Sequence, residues 1–425
     1  MDTIFALATA SGRAGVAVVR ISGPSARKSA ERLAGPLPVD GRRYAKLRDE
    51  TGHHLDTGLV LTFAEGKSFT GDETVEFQLH GAPVVVRSVL EALAAIPALR
   101  PAVAGEFTRR AFENGRLDLA QVEGLSDLLE AETERQRVLA LNVLSGGMSR
   151  RVEAWRQKLV EAMALVEATI DFADEDVPVD VAPDVERGIG QLIEEIETEL
   201  SGLTGLGRLR EGFEVAIVGS PNAGKSTLLN RLVGRDAALT SSIAGTTRDV
   251  IEVKLEIDGL PVTVLDTAGL RDTSDPLETL GVARAKERAE NADLRVYLVS
   301  PDEKAPQSQS EADLVVNSKV DLTGLRGISG LSGEGVDELV NRIAEVLGQR
   351  ISDSTIMSRE RHRIGLLNAV EGLRIASSLL PALDVQSDLV AEELRRSVRA
   401  LEGLVGRIDV EHVLGEIFAS FCIGK

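Results

Sequence analysis

Residues 219–226 read Gly-Ser-Pro-Asn-Ala-Gly-Lys-Ser, which has the spacing of a Walker A phosphate-binding loop. An apolar run at 213–218 precedes the motif, and apolar residues at helical spacing follow it at 227–233. This order of strand, loop and helix is what the motif requires, because backbone N–H groups and a helix N-terminus then surround an anion. We expect Lys225 to reach the β- and γ-phosphates and the Ser226 hydroxyl to hold Mg²⁺.

Two motifs further along the chain indicate guanine rather than adenine. Asp266-Thr-Ala-Gly269 follows an apolar run, so Asp266 can hold the water shell of Mg²⁺ at a strand end and the Gly269 N–H can contact the γ-phosphate. Ser318-Lys-Val-Asp321 follows a second run, and the Asp321 carboxylate can accept two N–H bonds from guanine but not from adenine. Ser318 stands where Asn is usual, a departure that bears on how tightly the base is held. An ATPase is the alternative interpretation.

The segments around these motifs support a Ras-like arrangement. Ser329-Gly-Leu331 lies where GTPases place their last base-contacting loop, and 240–249 is a Ser/Thr-rich segment in which Thr247 is the expected second hydroxyl on Mg²⁺. Residues 251–257, Asp258-Gly259 and 262–265 read as two strands joined by an Asp-Gly hairpin turn.

Length and composition limit the kinds of protein that this chain can be. With 425 residues and 43% hydrophobic content, the chain should fold into about two to four globular domains. A formal net charge of −19 argues against a broad nucleic-acid-binding surface, so RNA would be contacted through a local basic patch or through another protein. A single cysteine excludes a disulfide framework, and no apolar run is long enough to cross a bilayer. We therefore expect a soluble cytoplasmic protein that has no membrane partner.

Amphipathic helices flank the nucleotide domain on both sides. Apolar residues repeat at spacings of three and four in three stretches, and we predict that they form the core of one helical domain built from two segments. The stretches are Val152, Trp155, Leu159, Met163, Val166 and Ile170; Ile189, Leu192, Ile193, Ile196, Leu200 and Leu203; and Leu389, Leu394, Val398, Leu401, Leu404, Val405 and Ile408.

The N-terminal region has a different pattern, typical of an α+β domain. Residues 15–21 and 74–79 read as strands, and 84–96 read as a helix. In the second strand Val75, Phe77 and Leu79 alternate with polar residues, which predicts one buried and one polar face.

Several motifs carry a family resemblance. They are Asn222 in the phosphate loop, Gly245-Thr-Thr-Arg-Asp249, Asp266-Thr-Ala-Gly-Leu-Arg271, the terminal Phe421-Cys-Ile-Gly-Lys425, and the stretches 12–23, 105–112 and 117–123. With them the chain resembles the MnmE (TrmE) family of tRNA-modifying GTPases from end to end. The resemblance implies an α+β tetrahydrofolate-binding and dimerisation domain at 1–117. It also implies a discontinuous helical domain at 118–210 and 350–425, with a Ras-like α/β P-loop G domain inserted at 211–349.

The resemblance also implies an activity. The protein would be a homodimer and a K⁺-dependent, dimerisation-activated GTPase. With the flavoprotein MnmG (GidA) it would add aminomethyl or carboxymethylaminomethyl groups at C5 of the tRNA wobble uridine. The implied cofactors are GTP, Mg²⁺, K⁺ and 5-formyltetrahydrofolate or a related one-carbon folate. The family uses no arginine finger, so K⁺ would neutralise the transition-state charge.

The family's functional residues fall on positions of this chain as follows. Catalytic roles fall on Glu278, Lys225 and Cys422, with Glu278 positioning water because Leu270 replaces the usual Gln. Mg²⁺ ligands would be Ser226 and Thr247, and K⁺ ligands Asn222, Ser241, Ile243 and Thr246. Folate contacts would be Arg20, Glu76, Lys425 and Arg116, where the family often has Lys. GTP contacts would be Asn222, Ala223, Gly224, Lys225, Ser226, Thr227, Ser241, Ser242, Ile243, Ala244, Gly245, Thr246, Thr247, Asp266, Thr267, Ala268, Gly269, Ser318, Lys319, Asp321, Ser329, Gly330 and Leu331.

Two other interpretations stay open at this point. One is a ribosome-assembly GTPase switch like Era or EngA, although such proteins carry a basic RNA-binding module and no basic region was identified in this sequence. In the other, GTP hydrolysis only times a conformational change and the flavoprotein performs the chemistry. The terminal Cys-Ile-Gly-Lys is expected to fold back toward the folate pocket, where Cys422 would serve the modification step.

Overall fold

The structure is a computed structural model that describes residues 2–171, 181–234, 252–266, 287–303, 313–352, 354–407 and positions 415, 417, 418, 421 and 424. Its contacts divide the chain into two compact units. The first comprises Met1–Ser126 and Glu402–Lys425, and the second comprises Asp127–Leu401. The domain boundaries given above stay predictions. None of the described helices combines the length and hydropathy needed to span a bilayer.

The first unit contains a six-stranded sheet in the order β3-β4-β5-β2-β1-β6. Neighbouring strands are antiparallel except β1 and β6, which are parallel. The strands are β1 (Thr3–Leu7), β2 (Ala14–Ser22), β3 (Gly41–Arg48), β4 (His54–Phe63), β5 (Thr74–Gly81) and β6 (Leu99–Pro101). The helices are α1 (Ala26–Ala34), α2 (Pro83–Ala94), α3 (Glu106–Glu113) and α4 (Leu119–Glu130), which continues into the second unit.

One face of this sheet forms the core with α1 and α2. Val75 and Phe77 are fully buried and Leu79 nearly so, while Glu76, Gln78 and His80 on the same strand are partly or fully exposed. The predicted alternation in β5 is confirmed. The opposite face of the sheet is the polar one, and it carries the Arg20–Glu76 pair described below.

The second unit contains the helical segments predicted on both sides of the nucleotide domain. They form α5 (Glu134–Leu144), α6 (Gly147–Asp171), α7 (Ala182–Glu211), α11 (Glu360–Leu379) and α12 (Leu383–Leu404). Helix α7, from before the nucleotide domain, packs against both α6 and α11, so the helical part is built from two sequence segments.

The described side chains of the predicted apolar stripes are buried or partly buried, with one exception; the Ile170 side chain and Ile408 lie outside the described part of the chain. Leu389 is 57% exposed, so its assignment to the helical core was wrong. It lies five residues before Leu394, which places it about 140° around α12 from that buried side chain and off the face that Val390, Leu394 and Leu401 form. Conversely, Glu199 on the α7 stripe is 1% exposed and accepts the Met357 N–H at 2.7 Å, a buried carboxylate that apolar periodicity did not indicate.

The nucleotide domain is a five-stranded sheet in the order β11-β10-β7-β9-β8. Its described elements are β7 (Phe213–Gly219), α8 (Lys225–Val233), β8 (Glu252–Ile257), β9 (Leu260–Asp266), β10 (Leu294–Val299), β11 (Leu314–Asn317), α9 (Val320–Thr323) and α10 (Val336–Gly348). All pairings are parallel except β8–β9. The β8–β9 turn has positive φ at both Asp258 (51°) and Gly259 (75°), so the predicted Asp-Gly hairpin is confirmed.

Candidate nucleotide and folate sites

The phosphate loop joins the end of β7 to the start of α8. Asn222 and Gly224 both have left-handed backbone, with φ of 70° and 97°, and Gly224 caps the helix. Glycine adopts this conformation freely, whereas for asparagine it is uncommon and found mainly in tight turns. The loop therefore turns sharply at the helix N-terminus, the geometry that gathers N–H groups around a phosphate.

The Lys225 side chain lies buried against its own loop. Its ammonium group donates to the carbonyl oxygens of Gly219 at 2.7 Å and Ser220 at 2.9 Å. Burial lowers the pKa of Lys225 because the charged form loses hydration, while the carboxylates of Asp266 and Glu303 act in the opposite direction. In this position the ammonium group can exchange the two carbonyls for phosphate oxygens.

Ser226 and Asp266, the two described residues predicted to organise Mg²⁺, are brought together. Ser226 Oγ donates to Asp266 Oδ2 at 3.0 Å, from the first turn of α8 to the last residue of β9. Asp266 is buried and Ser226 is exposed. Mg²⁺ prefers oxygen ligands from hydroxyls, carboxylates and water, so this pair of side chains fits the ion.

A cavity of about 280 Å³ runs from the phosphate loop to the predicted base-binding motifs. Three of the segments that line it are distant in sequence and carry predicted residues. They contribute Ala223, Gly224 and Thr227 from the phosphate loop, Ser318, Lys319 and Asp321 from the second motif, and Ser329, Gly330 and Leu331 from the last loop. The structure therefore gathers the described phosphate- and base-contacting candidates around one space.

Ser318, which replaces the usual Asn, holds the base motif in place. Its side chain is buried, and Oγ donates to the Val299 carbonyl at 3.1 Å, linking the ends of β10 and β11. Lys319 then takes a left-handed φ of 57° and leads into α9, which carries Asp321. The hydroxyl thus fixes the loop from behind, while Asp321 lines the cavity.

The 329–331 loop lies directly on the first turn of α8. A Cβ placed on Gly330 would be 2.9 Å from the Leu228 nitrogen and 3.0 Å from the Thr227 carbonyl carbon. Only glycine fits this approach without a shift of backbone. Ser329 is buried and Leu331 is 77% exposed, so the loop presents its apolar side chain outward at the mouth of the cavity.

The remaining predicted nucleotide, ion and tail residues lie outside the described part of the chain. They are Ser241, Ser242, Ile243, Ala244, Gly245, Thr246, Thr247, Thr267, Ala268, Gly269, Glu278, Cys422 and Lys425. Their roles stay predictions.

Arg20 and Glu76, two of the predicted folate contacts, form a direct pair on the polar face of the first sheet. They are cross-strand partners on β2 and β5, and Arg20 Nε donates to Glu76 Oε1 at 2.8 Å. The guanidinium carbon also lies 5.8 Å from the Phe69 ring centre and 5.5 Å from that of Phe107. Phe107 is fully buried and contacts the guanidinium from the core side, whereas Phe69 is 39% exposed. The carboxylate, the cation and the Phe69 ring can together hold a flat heterocycle with an amidine-like edge.

The two phenylalanines were not predicted as site residues. Phe107 lies in the 105–112 stretch that carries the family resemblance, which is the one signal that could have found it. Arg116 is exposed and lies beside the loop that bears Phe69, because a Cβ on Gly71 would be 3.4 Å from Arg116 Cγ. That loop therefore links Arg116 to the Arg20–Glu76 pair.

The described residues of the C-terminal tail, which belongs to the first unit, pack against the N-terminal part of that unit. Phe418 is 1% exposed and clusters with Phe421 and Val122. The Arg109 guanidinium carbon lies 5.0 Å from the Phe418 ring centre, and a Cβ on Gly105 would be 2.6 Å from the Phe418 carbonyl oxygen. The tail is thus fixed by apolar burial, a cation–π contact and a close backbone approach.

The end of the tail reaches strand β1. A Cβ on Gly424, whose φ is 101°, would collide with the Leu7 carbonyl oxygen, so only glycine fits there. Leu7 is adjacent to Ala6, the cross-strand partner of Arg20. The chain end therefore lies against the strand next to the one that bears Arg20.

Two family models match this chain. The model of the GTP-binding protein TrmE N-terminus matches residues 3–116, and the model of the MnmE helical domain matches residues 119–422. Together they cover the first sheet, the helical segments and the G domain inserted between them.

Curated relatives match over the full length of the chain. It is 53% identical to the tRNA modification GTPase MnmE of Roseobacter denitrificans and 55% identical to that of Cereibacter sphaeroides, with 100% of both chains covered in each case. Among solved structures, Era of Aquifex aeolicus is 27% identical over 37% of this chain and 66% of that chain, with a TM-score of 0.26. The chain, a P-loop GTP hydrolase, therefore belongs to the MnmE family of tRNA modification GTPases.

Proposed function

We propose that this GTPase is K⁺-dependent and activated by dimerisation, and that with the flavoprotein MnmG it installs an aminomethyl or carboxymethylaminomethyl group at C5 of the tRNA wobble uridine. One observation carries the proposal: a single chain holds both a nucleotide cavity, with Lys225 at its phosphate end, and an Arg20–Glu76 pair flanked by aromatic rings. GTP hydrolysis would occur at the nucleotide cavity, and one-carbon chemistry would occur at the Arg20–Glu76 pair. A cytoplasmic location is part of the proposal.

In the nucleotide cavity the chain's own residues would bind and orient GTP. Asp321 would accept two N–H bonds from the guanine edge, and Lys225 would contact the β- and γ-phosphates. Ser226 and Thr247 would hold Mg²⁺, which supplies positive charge to the phosphate oxygens. The Ser226–Asp266 contact supports this assignment, because it already places a hydroxyl and a carboxylate together at the phosphate end.

Hydrolysis should require K⁺, held by Asn222, Ser241, Ile243 and Thr246. In support, Asn222 is exposed on a left-handed turn of the phosphate loop. An arginine finger supplies roughly 4–7 kcal/mol of transition-state stabilisation, and a cation replacing it would have to supply a comparable part. We expect turnover to fall at least about 10²-fold when Na⁺ replaces K⁺. Equal turnover in the two salts contradicts the proposal.

Glu278 would position or activate the attacking water, because Leu270 cannot. Glu278→Ala should reduce turnover by about 10²-fold or more and leave GTP affinity nearly unchanged. Glu278→Gln separates orientation of the water by hydrogen bonding from proton abstraction. If affinity and turnover fall together in both variants, the residue has a structural role.

Dimerisation would bury an apolar groove on the first unit. The groove has a volume of about 990 Å³ and is lined by residues of β1 and α2, including Phe5, Val86 and Leu90. Ala94, at the end of α2, lines the groove and is exposed, and apolar patches of this kind mark interaction surfaces. Ala94→Glu should convert a dimer to monomers in sedimentation, whereas the control Val385→Glu, at a site 78% exposed in the second unit, should not.

Arg20, Glu76, Arg116 and Lys425 would hold 5-formyltetrahydrofolate or a related one-carbon folate. Glu76 would accept hydrogen bonds from the pterin edge, and the cations would contact the formyl oxygen or the glutamyl tail. Calorimetry with 5-formyltetrahydrofolate tests this. Glu76→Gln should weaken binding by about tenfold or more, because it removes a charge-assisted acceptor. Unchanged affinity contradicts the site.

Cys422 would act in the modification step with MnmG rather than in GTP hydrolysis. The packing of Phe418, Phe421 and Gly424 against the first unit supports a tail held near the folate residues. Cys422→Ser should hydrolyse GTP normally and fail to restore modified tRNA in cells. Full restoration would reduce the cysteine to a packing role.

A further inference from the structure

Strand β3 is an edge strand of the first sheet with an unusual charge. Its eight residues, Gly41–Arg48, include Arg42, Arg43, Lys46 and Arg48 and no acidic residue. The whole chain carries a formal net charge of −19. A strand with four positive charges is therefore a local exception to the overall charge.

Strand geometry sorts these side chains onto two faces. Ala45 and Leu47 are buried in the core that α1 covers. Arg42, Tyr44, Lys46 and Arg48 alternate with them and project from the other face, where Tyr44 is 73% exposed. Successive members of this set, which we call the β3 stripe, are about 7 Å apart along the strand.

The nearby acidic side chains are already engaged. Asp40 accepts from Lys67 at 2.7 Å, Asp56 is paired with His80 at 2.8 Å, Asp49 accepts the His53 N–H at 2.9 Å, and Glu50 pairs with Arg32. Within the part of the chain that the structure describes, no acidic side chain pairs with Arg42 or Lys46. The positive charge of the stripe is therefore left for a partner.

The β3 stripe shares a sheet face with the Arg20–Glu76 pair. Arg42 lies opposite Leu61 on β4, Leu61 lies opposite Glu76 on β5, and Glu76 lies opposite Arg20 on β2. Residues directly opposite one another point to the same side of a sheet. Two strand spacings, about 10 Å, separate Arg42 from Glu76.

We propose that the β3 stripe binds a single-stranded segment of the tRNA substrate, with phosphates on Arg42, Lys46 and Arg48 and one base stacked on Tyr44. The inference rests on the proposed function, which supplies tRNA as the substrate. Cations spaced along an extended strand suit an extended nucleic-acid backbone, and an exposed aromatic ring between them supplies a stacking surface for any base. Bound there, the RNA would lie on the face that carries the folate candidates.

Protection of a sheet edge does not explain the stripe. Charged side chains on an edge strand prevent it from pairing with another sheet, but negative side chains would do this as well as positive ones. Protection of the edge gives no reason for three positive charges in an acidic protein, and an exposed tyrosine on a sheet edge works against such protection. Binding to a polyanion explains the sign, the spacing and the ring together.

The test measures binding of the full-length protein to an unmodified tRNA transcript at salt concentrations between about 50 and 200 mM. Arg42→Ala with Lys46→Ala should reduce the slope of log affinity against log salt by about 1.4, since each phosphate contact to a single strand contributes about 0.7. The control pair, Lys28→Ala in α1 with Arg342→Ala in α10 of the second unit, removes the same charge at two exposed positions outside β3 and should leave the slope unchanged.

Tyr44 supplies a second, independent readout. Tyr44→Ala should weaken tRNA binding by roughly 5- to 150-fold, and Tyr44→Phe, which keeps the ring, should bind like the wild type. GTP turnover should be unchanged in all variants, and circular-dichroism melting curves that match the wild type show that the first unit, which carries β3, is folded.

Wild-type tRNA affinity and salt slope in both β3 variants would overturn the inference. So would variants that lose MnmG capture or self-association while binding tRNA normally, because the stripe would then be a protein interface. Neither result contradicts the proposed function, which is tested separately by whether wobble-uridine modification is lost in cells that lack the protein.

Discussion

The substitution Gly330→Ala should weaken nucleotide binding through a collision between backbones. The new Cβ would lie 2.9 Å from the Leu228 nitrogen and 3.0 Å from the Thr227 carbonyl carbon, whereas ordinary contacts begin near 3.4 Å. Both atoms belong to the first turn of α8, which also carries Lys225, so a shift of about half an ångström must be shared by the base loop and the phosphate loop. Overpacking of this kind typically costs about 1–3 kcal/mol. We therefore expect Kd to rise by about 5- to 150-fold.

Fluorescent GDP and a non-hydrolysable GTP analogue measure this effect directly. Both affinities should fall equally, because Gly330 lies at the base end of the cavity and not at the γ-phosphate. Gly348→Ala is the matched control, since no atom lies within 4 Å of a Cβ built on that residue in α10. Wild-type affinity for both nucleotides, or a loss confined to the GTP analogue, would refute the reasoning, provided that thermal melting shows both variants folded.

Phe418→Ala should lower the free energy of local unfolding of the tail by about 3–5 kcal/mol and so speed up amide hydrogen exchange along the tail. GTP turnover should be unchanged, and an unaltered exchange rate would contradict the packing of the tail. At Glu106, burial raises the pKa, but hydrogen bonds from Arg100 and the Val103 N–H outweigh it and leave the pKa below its ordinary value of 4.5. The stability that this carboxylate contributes is therefore present above pH 4.5 and is lost as pH falls through the lower folded pKa. In acid titrations followed by circular dichroism, Glu106→Gln should be less stable than wild type at neutral pH and lose less stability on acidification; parallel curves would contradict this. Because the pKa of Lys225 is lowered, nucleotide affinity should fall on the alkaline side below the ordinary lysine value of 10.5, a dependence that Lys225→Met should abolish.

The nucleotide domain was predictable because its signals are local. The phosphate loop, the Asp-Gly turn at 258–259 and the base motif at 318–321 each fix their own backbone, and each lies where the sequence placed it. Parallel strands also bring their carboxyl ends to one edge of a sheet, so motifs that follow strands must meet there. The phosphate and base motifs line one cavity because each of them follows a parallel strand and so lies at the same edge of the sheet.

The aromatic surroundings of Arg20 could not be predicted. Phe69 and Phe107 come from a loop and a helix far apart in sequence, and only the fold brings both rings to the guanidinium. Glu199 was missed for the same reason, since its partner Met357 lies on a distant segment.

The alternating pattern of the β3 stripe is present in the sequence, but the negative net charge of the whole chain gave no indication of it. Arg42, Tyr44, Lys46 and Arg48 alternate with buried Ala45 and Leu47, the pattern of a strand with one core face. The net charge of −19 allowed a local basic patch but did not indicate where it lies, because a net charge averages over surfaces that act separately.

The central claim is that this GTPase takes part in tRNA wobble-uridine modification. It is tested most directly by mass spectrometry of tRNA nucleosides from cells lacking the protein, complemented with the wild type or with Lys225→Ala. We predict that the aminomethyl-type modification at C5 of the wobble uridine disappears on deletion, returns with the wild type and does not return with Lys225→Ala. An unchanged set of wobble nucleosides in the deletion strain would contradict the claim.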